Sequence, residues 1–173
     1  MLFRSIAPLG AITALIGLTG VACSAMIYID TRRPFWGASA SLGKFFGTML
    51  LLGGAAALVV ARDTTPRAVA FPVAALALAK LVFEHRVLFR LNDPDASLLD
   101  PLRRSAALLT GPLGVWMRAR IACGLLGAAL LLAGHDLFFG GAAFALLLGG
   151  ELIERHLFFR AEATPKMPGV GAA

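Results

Sequence analysis

Apolar residues fill this chain in five long runs, and polar positions are confined to the gaps between them. The runs cover about 6–29, 45–61, 67–84, 119–134 and 137–154. Each is close to the ~17–25 residues that a helix needs to cross a bilayer. The pattern predicts an all-α fold: an integral membrane bundle of about five transmembrane helices, forming one domain over 1–173.

The gaps set the boundaries. The first helix ends at Asp30-Thr31-Arg32-Arg33-Pro34-Phe35-Trp36. Pro34 stops helical geometry, and Tyr28 and Trp36 read as interfacial anchors. The second begins near Lys44 and carries Gly47, Gly53 and Gly54, small residues that let helices approach closely in lipid. Arg62-Asp63-Thr64-Thr65-Pro66 closes it with a turn. The third continues through Lys80 and Glu84 to about Arg90. The longest polar connection follows, from Asn92-Asp93-Pro94-Asp95 through Asp100-Pro101 to Arg103-Arg104. The fourth starts near Trp116 with Arg118 and Arg120 in its first turn. His135-Asp136 makes a tight turn, and the fifth runs out through Glu151, Glu154, Arg155 and His156 to Arg160. The tail, 162–173, is rich in Pro, Gly and Ala and reads as extended.

Composition agrees with a membrane domain. The chain is 58% hydrophobic and 15% charged, with mean hydropathy +0.80, against ~45–50% and ~25% in soluble domains. Charge adds an orientation. Of 16 Lys and Arg, 12 fall at one face; Arg4, Arg62 and Arg67 fall at the other, and Lys80 lies within a span. The positive-inside rule makes the rich face, with the C-terminus, cytoplasmic. The net charge of +6 thereby has an origin other than nucleic-acid binding, and no basic stripe with interleaved aromatics is present. Cys23 and Cys123 are the only cysteines and lie in apolar runs, as small hydrophobes do. Without a CxxC the chain holds no iron–sulfur cluster by itself. Arg4 and the run after it look like a signal peptide, and Gly20-Val21-Ala22-Cys23 like a lipoprotein cleavage site. The run continues through Ile29, which favours a retained helix.

Candidate chemistry clusters at the positive face. Lys80 and Glu84 are four apart and share a helix face, as do Glu151 and Glu154, three apart. Arg155 lies four after Glu151, within pairing reach. Ionisable residues in a span usually face the bundle interior or a wet cavity. They are candidates for proton handling or for a quinone head group, because quinol oxidation needs a nearby proton acceptor. The plainer alternative is that they pair or snorkel at the interface. Glu84-His85-Arg86-Val87-Leu88-Phe89-Arg90 matches Glu154-Arg155-His156-Leu157-Phe158-Phe159-Arg160, as an internal repeat or as converging interfacial helix ends. His85 and His156 share a face and raise a haem hypothesis; their place among arginines at helix ends suits an interface better. Arg32, Arg33, Arg103, Arg104, Arg118 and Arg120, with Trp36 and Trp116, read as a basic aromatic surface for lipid head groups or a peripheral subunit. No phosphate loop, nucleophile triad or metal-ligand spacing is visible.

The stretch Cys23-Ser24-Ala25-Met26-Ile27-Tyr28-Ile29-Asp30-Thr31-Arg32-Arg33-Pro34-Phe35-Trp36, followed by Lys44-Phe45-Phe46-Gly47-Thr48, resembles the membrane anchor subunits of dimethyl sulfoxide reductase-type molybdoenzymes. So does Glu154-Arg155-His156-Leu157-Phe158-Phe159-Arg160-Ala161 with Lys166-Met167-Pro168-Gly169. Anchors of that family carry more helices, so the resemblance places this chain as the C-terminal part of one. It implies a haem-free, non-catalytic subunit of the bacterial inner membrane. Such a subunit binds menaquinol and passes electrons to an iron–sulfur subunit, and through it to a molybdopterin catalytic subunit. On that reading Lys80, Glu84, His85, Arg86, Glu151 and Glu154 are the quinone-site candidates. Tyr28, Asp30, Arg32, Arg33, Trp36, Arg103 and Arg104 are the docking candidates. The alternatives are a purely structural anchor without a quinone site and a haem-binding cytochrome b-type subunit.

Overall fold

The computed structural model describes residues 3–61, 63, 67–93, 100–134 and 136–162. The expected turn at Arg62 and Thr64–Pro66, the Pro94-Asp95 loop, His135 and the tail beyond Glu162, with Lys166-Met167-Pro168-Gly169, lie outside the described residues.

Six α-helices follow in order: α1 (Phe3–Asp30), α2 (Ala38–Val60), α3 (Ala70–His85), α4 (Pro101–Thr110), α5 (Gly114–Ala133) and α6 (Leu137–Arg160). Short 3-10 turns at Pro34–Trp36, Arg67–Val69 and Arg86–Leu91 flank α2 and α3. All except α4 belong to the five segments that are long and apolar enough to cross a membrane. The chain is an all-helical, multi-pass membrane protein.

The α1–α2 connection is set by local chemistry. The Thr31 and Arg32 amides donate back to the Tyr28 and Ile29 carbonyls, closing α1. Arg32 then takes φ 54°, the left-handed region that a non-glycine residue rarely enters. Arg33 is extended, as a residue before proline must be, and Pro34 opens a single 3-10 turn. This lets α2 begin at Ala38, earlier than the expected start near Lys44.

The long polar connection contains an unexpected helix, α4. Asp100 caps it: its carboxylate accepts the Leu102 amide at 3.0 Å, with Pro101 in the first turn. Ser105, Ala106 and Leu109 are buried while Arg104, Ala107 and Thr110 are exposed, the three-to-four spacing of an amphipathic helix. It is too short and too polar to span, and it packs across the positive end of the bundle.

α5 and α6 pack together; α3 lies against α5, and α2 touches both α3 and α6. α1 leans chiefly on α2, and its residues 8–20 are all exposed. The core divides into two apolar zones. One joins Leu51, Ala55, Val73, Ala77, Leu131 and Leu147. The other, at the positive end, joins Phe35, Leu109, Met117, Leu157 and Phe158 with Tyr28, Trp36 and Phe45 packed against it. Between these zones α3, α5 and α6 bury charge at Lys80, Arg120, Glu151 and Glu154, and α2 places Lys44 beside the second zone.

Candidate functional site

Lys80, Glu84, Arg120 and Glu151 meet in the middle of that gap. The Lys80 ammonium lies 2.5 Å from Glu84 Oε1 and 2.8 Å from Glu151 Oε2. Arg120 reaches the same two carboxylates. Its Nε and Nη2 donate to Glu84 Oε2 and Oε1, each at 3.1 Å, and Nη2 donates to Glu151 Oε1 at 2.8 Å. Thr48 of α2 adds an Oγ1 at 2.5 Å from Glu151 Oε2. Lys80 is 4% exposed, Arg120 1% and Glu151 2%, so these three are shielded from water, while Glu84 is partly exposed. Two cations and two anions make the cluster formally neutral, which offsets the cost of holding charge inside a span.

Three glycine and helix-face relations make the cluster possible. A Cβ on Gly47 would sit 3.2 Å from the Lys80 side chain, and one on Gly150 only 2.9 Å from Arg120 Nη1. Both glycines therefore hold open the space that the two cations occupy. Gly53, expected to serve close helix approach like Gly47 and Gly54, has open space around it instead. The third relation is on α5. Arg120 was expected beside Arg118 on a basic surface; the structure corrects this, with Arg118 exposed and Arg120 inside. Residues two apart on a helix point about 200° apart, so they cannot share a face. The signal lay downstream. Arg120 falls on the same stripe as Gly124, Gly127, Ala128 and Leu131, all buried.

A second charged group lies nearer the positive end. Lys44 Nζ is 3.2 Å from Glu154 Oε1, and Arg155 Nε is 3.7 Å from Glu154 Oε2. Neither Glu154 oxygen accepts a hydrogen bond among the described residues, although the residue is 2% exposed. Both cations have other holders. Lys44 Nζ sits 4.8 Å above each of the Phe35 and Phe158 rings, and the Arg155 guanidinium lies 3.8 Å from the Phe45 ring centre. Arg155 also donates to Thr48 Oγ1 at 3.3 Å. The expected Arg155–Glu151 pair thus gives way to Arg155–Glu154, because Lys80, Arg120 and Thr48 already fill Glu151.

Above both groups an open pocket of about 390 Å³ lies between the Pro34–Trp36 turn, the start of α2 and the end of α3. Phe35 and Phe83 provide aromatic wall; Lys44, Glu84 and Arg86 provide charge. Next to it a small, partly open void of about 20 Å³ is lined by Phe35, Lys44, Glu84, Leu109, Met117, Glu154 and Leu157. Phe35, Lys44 and Glu84 border both spaces.

The quinone-site candidates therefore part company. Glu84 and Arg86 line the pocket, Glu154 lines the void, and Lys80 bridges Glu84 to Glu151 in the interior. His85 turns back on its own helix, its Nδ1 2.6 Å from the Leu81 carbonyl. His156 packs on Trp116 at 5.2 Å, so the two histidines of the apparent repeat serve different neighbours. The repeat's two glutamates do converge: Glu84 and Glu154 line one void from α3 and α6. Lys44, Thr48 and Arg120 belong to the site although the sequence did not single them out for it.

The docking candidates also divide. Tyr28 and Trp36 pack into the aromatic end of α6. Tyr28 lies 5.4 Å from both the Trp36 and Phe158 rings, and Trp36 Nε1 donates to the Phe158 carbonyl at 3.0 Å. Arg33 covers the Trp36 ring at 4.9 Å. Asp30, Arg32 and Arg104 are exposed, and Arg103 is half-buried on α4. Glu162, at the edge of this surface, is held above its ordinary carboxylate value by burial, which outweighs the nearby Arg33 charge.

No family model matches the chain, and no curated protein or solved structure is significantly similar to it.

Proposed function

We propose that this chain is the membrane anchor of an oxidoreductase complex and binds menaquinol at its positive end. The pocket carries the reading. It lies within the ~300–1,000 Å³ of small-molecule sites and pairs aromatic walls with Lys44, Glu84 and Arg86. A flat ring with polar oxygens at its edge and a long apolar tail matches that lining: the ring lies between Phe35 and Phe83, and Lys44 donates to a quinol hydroxyl oxygen. The partner on this reading is an iron–sulfur subunit docked over exposed Arg32 and Arg104, passing electrons to a molybdopterin subunit. This is the arrangement of dimethyl sulfoxide reductase-type anchors, which the Tyr28–Trp36 block resembles. Charge bias supports a cytoplasmic positive end, and the resemblance implies a bacterial inner membrane. The subunit does no chemistry on the terminal substrate itself.

A photoreactive menaquinone analogue tests the pocket. Labelling of peptides containing Phe35 or Phe83, lost in Lys44→Met, is the expected result. Labelling confined to the exposed face of α1 would rule the site out. A structural anchor is the second reading, favoured by the neutrality of the Lys80–Glu84–Arg120–Glu151 cluster, which needs no ligand to balance it. It predicts no saturable labelling at all.

A further inference from the structure

The quinone-site candidates include two carboxylates near the pocket, Glu84 and Glu154, and the geometry separates their roles. Glu84 borders the pocket directly, yet both of its oxygens are held by Lys80 and Arg120. Adding a proton to it would leave those two buried cations with Glu151 as their only anion. That loses charge-assisted bonds where charge is most costly. Glu154 differs. Its oxygens accept no hydrogen bond among the described residues. Its two cations also lie on the rings of Phe35, Phe158 and Phe45, and their side chains, 11% and 24% exposed, are far less buried than those of Lys80 and Arg120, so losing the Glu154 charge costs less.

Glu154 also has a route to the pocket. The void it lines is about 20 Å³, enough for one water, which needs ~10–15 Å³ and two or more polar partners. Glu154, Lys44 and Glu84 are those partners. The charged groups around Glu154 are Lys44 from α2, Glu84 from α3, Arg120 from α5, and Glu151 and Arg155 on α6 itself. From α4, Leu109 lines the same space. Glu154 therefore neighbours both a one-water space and cations that tolerate its neutralisation.

We propose that Glu154 is the proton acceptor for menaquinol bound in the pocket, reached through one water in this void, with Lys44 holding water and quinol oxygen in line. The proposal rests on the quinol reading above. A quinol O–H bond breaks, its proton passes to the water, and the water gives one of its own to a Glu154 carboxylate oxygen. The second proton leaves through the pocket mouth. The two electrons pass one at a time to an iron–sulfur cluster of the partner subunit, which is reduced as the quinol becomes quinone.

The test uses native membranes carrying the tagged chain and its partners, with menaquinol as substrate and a hydroxyquinoline N-oxide as a non-oxidisable analogue. Glu154→Gln is expected to lower menaquinol oxidation about 100-fold, the low end for a general base, with analogue affinity unchanged within about two-fold. Glu154→Asp recovers part of the rate. A small permeant weak acid restores Glu154→Gln, which a purely structural role would not permit. A Glu154→Gln rate equal to wild type, or a parallel loss of rate and analogue affinity without rescue, overturns the proposal. If the wild-type protein does not bind the analogue, the quinol reading itself fails and takes this role with it.

Discussion

Removing Arg120 should damage the fold more than any other single change in the charged layer. Arg120 donates three hydrogen bonds to two carboxylates and is 1% exposed. Arg120→Met keeps an apolar stem but leaves Glu84 and Glu151 sharing Lys80 alone, a net buried charge of −1 where there was none. Breaking a buried ion pair costs about 3–5 kcal/mol. For a chain of this size each kcal/mol shifts Tm by ~2–4 °C, so the expected loss is about 6–20 °C. The informative partner is Glu84→Gln. In the double variant one cation again faces one anion, so the double variant should be more stable than the two separate losses added together. The coupling expected between contacting charges is about 1–3 kcal/mol. Thermal unfolding of the four proteins in one detergent, followed by loss of monodisperse protein, measures it. A single Arg120→Met within about 1 kcal/mol of wild type, or strict additivity in the double, would refute the network as a coupled unit.

Three further outcomes follow from other parts of the structure. Gly150→Val should push Arg120 off Glu151, since even a Cβ there meets Nη1 at 2.9 Å; overpacking of this kind costs about 1–3 kcal/mol, and the same melts report it. Trp36→Phe should lose the hydrogen bond to the Phe158 carbonyl, about 1 kcal/mol, whereas Trp36→Ala also loses the ring and about 3–5 kcal/mol; equal melting of the two would deny the aromatic cluster its structural role. Glu162, whose burial raises it above 4.5, favours the fold when protonated. Its contribution is complete below that value and is lost as pH rises through the higher folded one. Glu162→Gln should therefore flatten the pH dependence of Tm just above pH 4.5, and an unchanged slope would show that Glu162 is not the group responsible.

Much of the bundle was readable from the chain because lipid enforces a simple rule. Apolar runs of spanning length must be helices whose backbone groups are satisfied internally, so all five spans are legible in the chain, although α2 starts at Ala38 rather than 45, α5 at Gly114 rather than 119, and α6 runs to Arg160 rather than 154. The Lys80–Glu84 pair was readable for a similar reason, being fixed by the rise and turn of a single helix. α4 is hard to see in the sequence because it is short and sits inside a polar connection, although the Asp100 cap and the Leu102, Ser105, Ala106, Leu109 spacing are local signals of it.

The helices, their apolar character and the sorting of charge to one end follow from residue order alone, since these depend on local spacing and on transfer from water to lipid. Only the tertiary structure decided which charges meet. Arg120 joins Glu84 from α5 and Glu151 from α6, residues 36 and 31 positions away, and no periodicity within one helix carries that information. Helix rotation turns Arg118 outward and Arg120 inward, glycines on α2 and α6 leave room for the cations, and Glu154 is left beside a one-water void rather than in the network. Each depends on how separate helices face one another, which is settled by packing between them and not by the order of residues along any one.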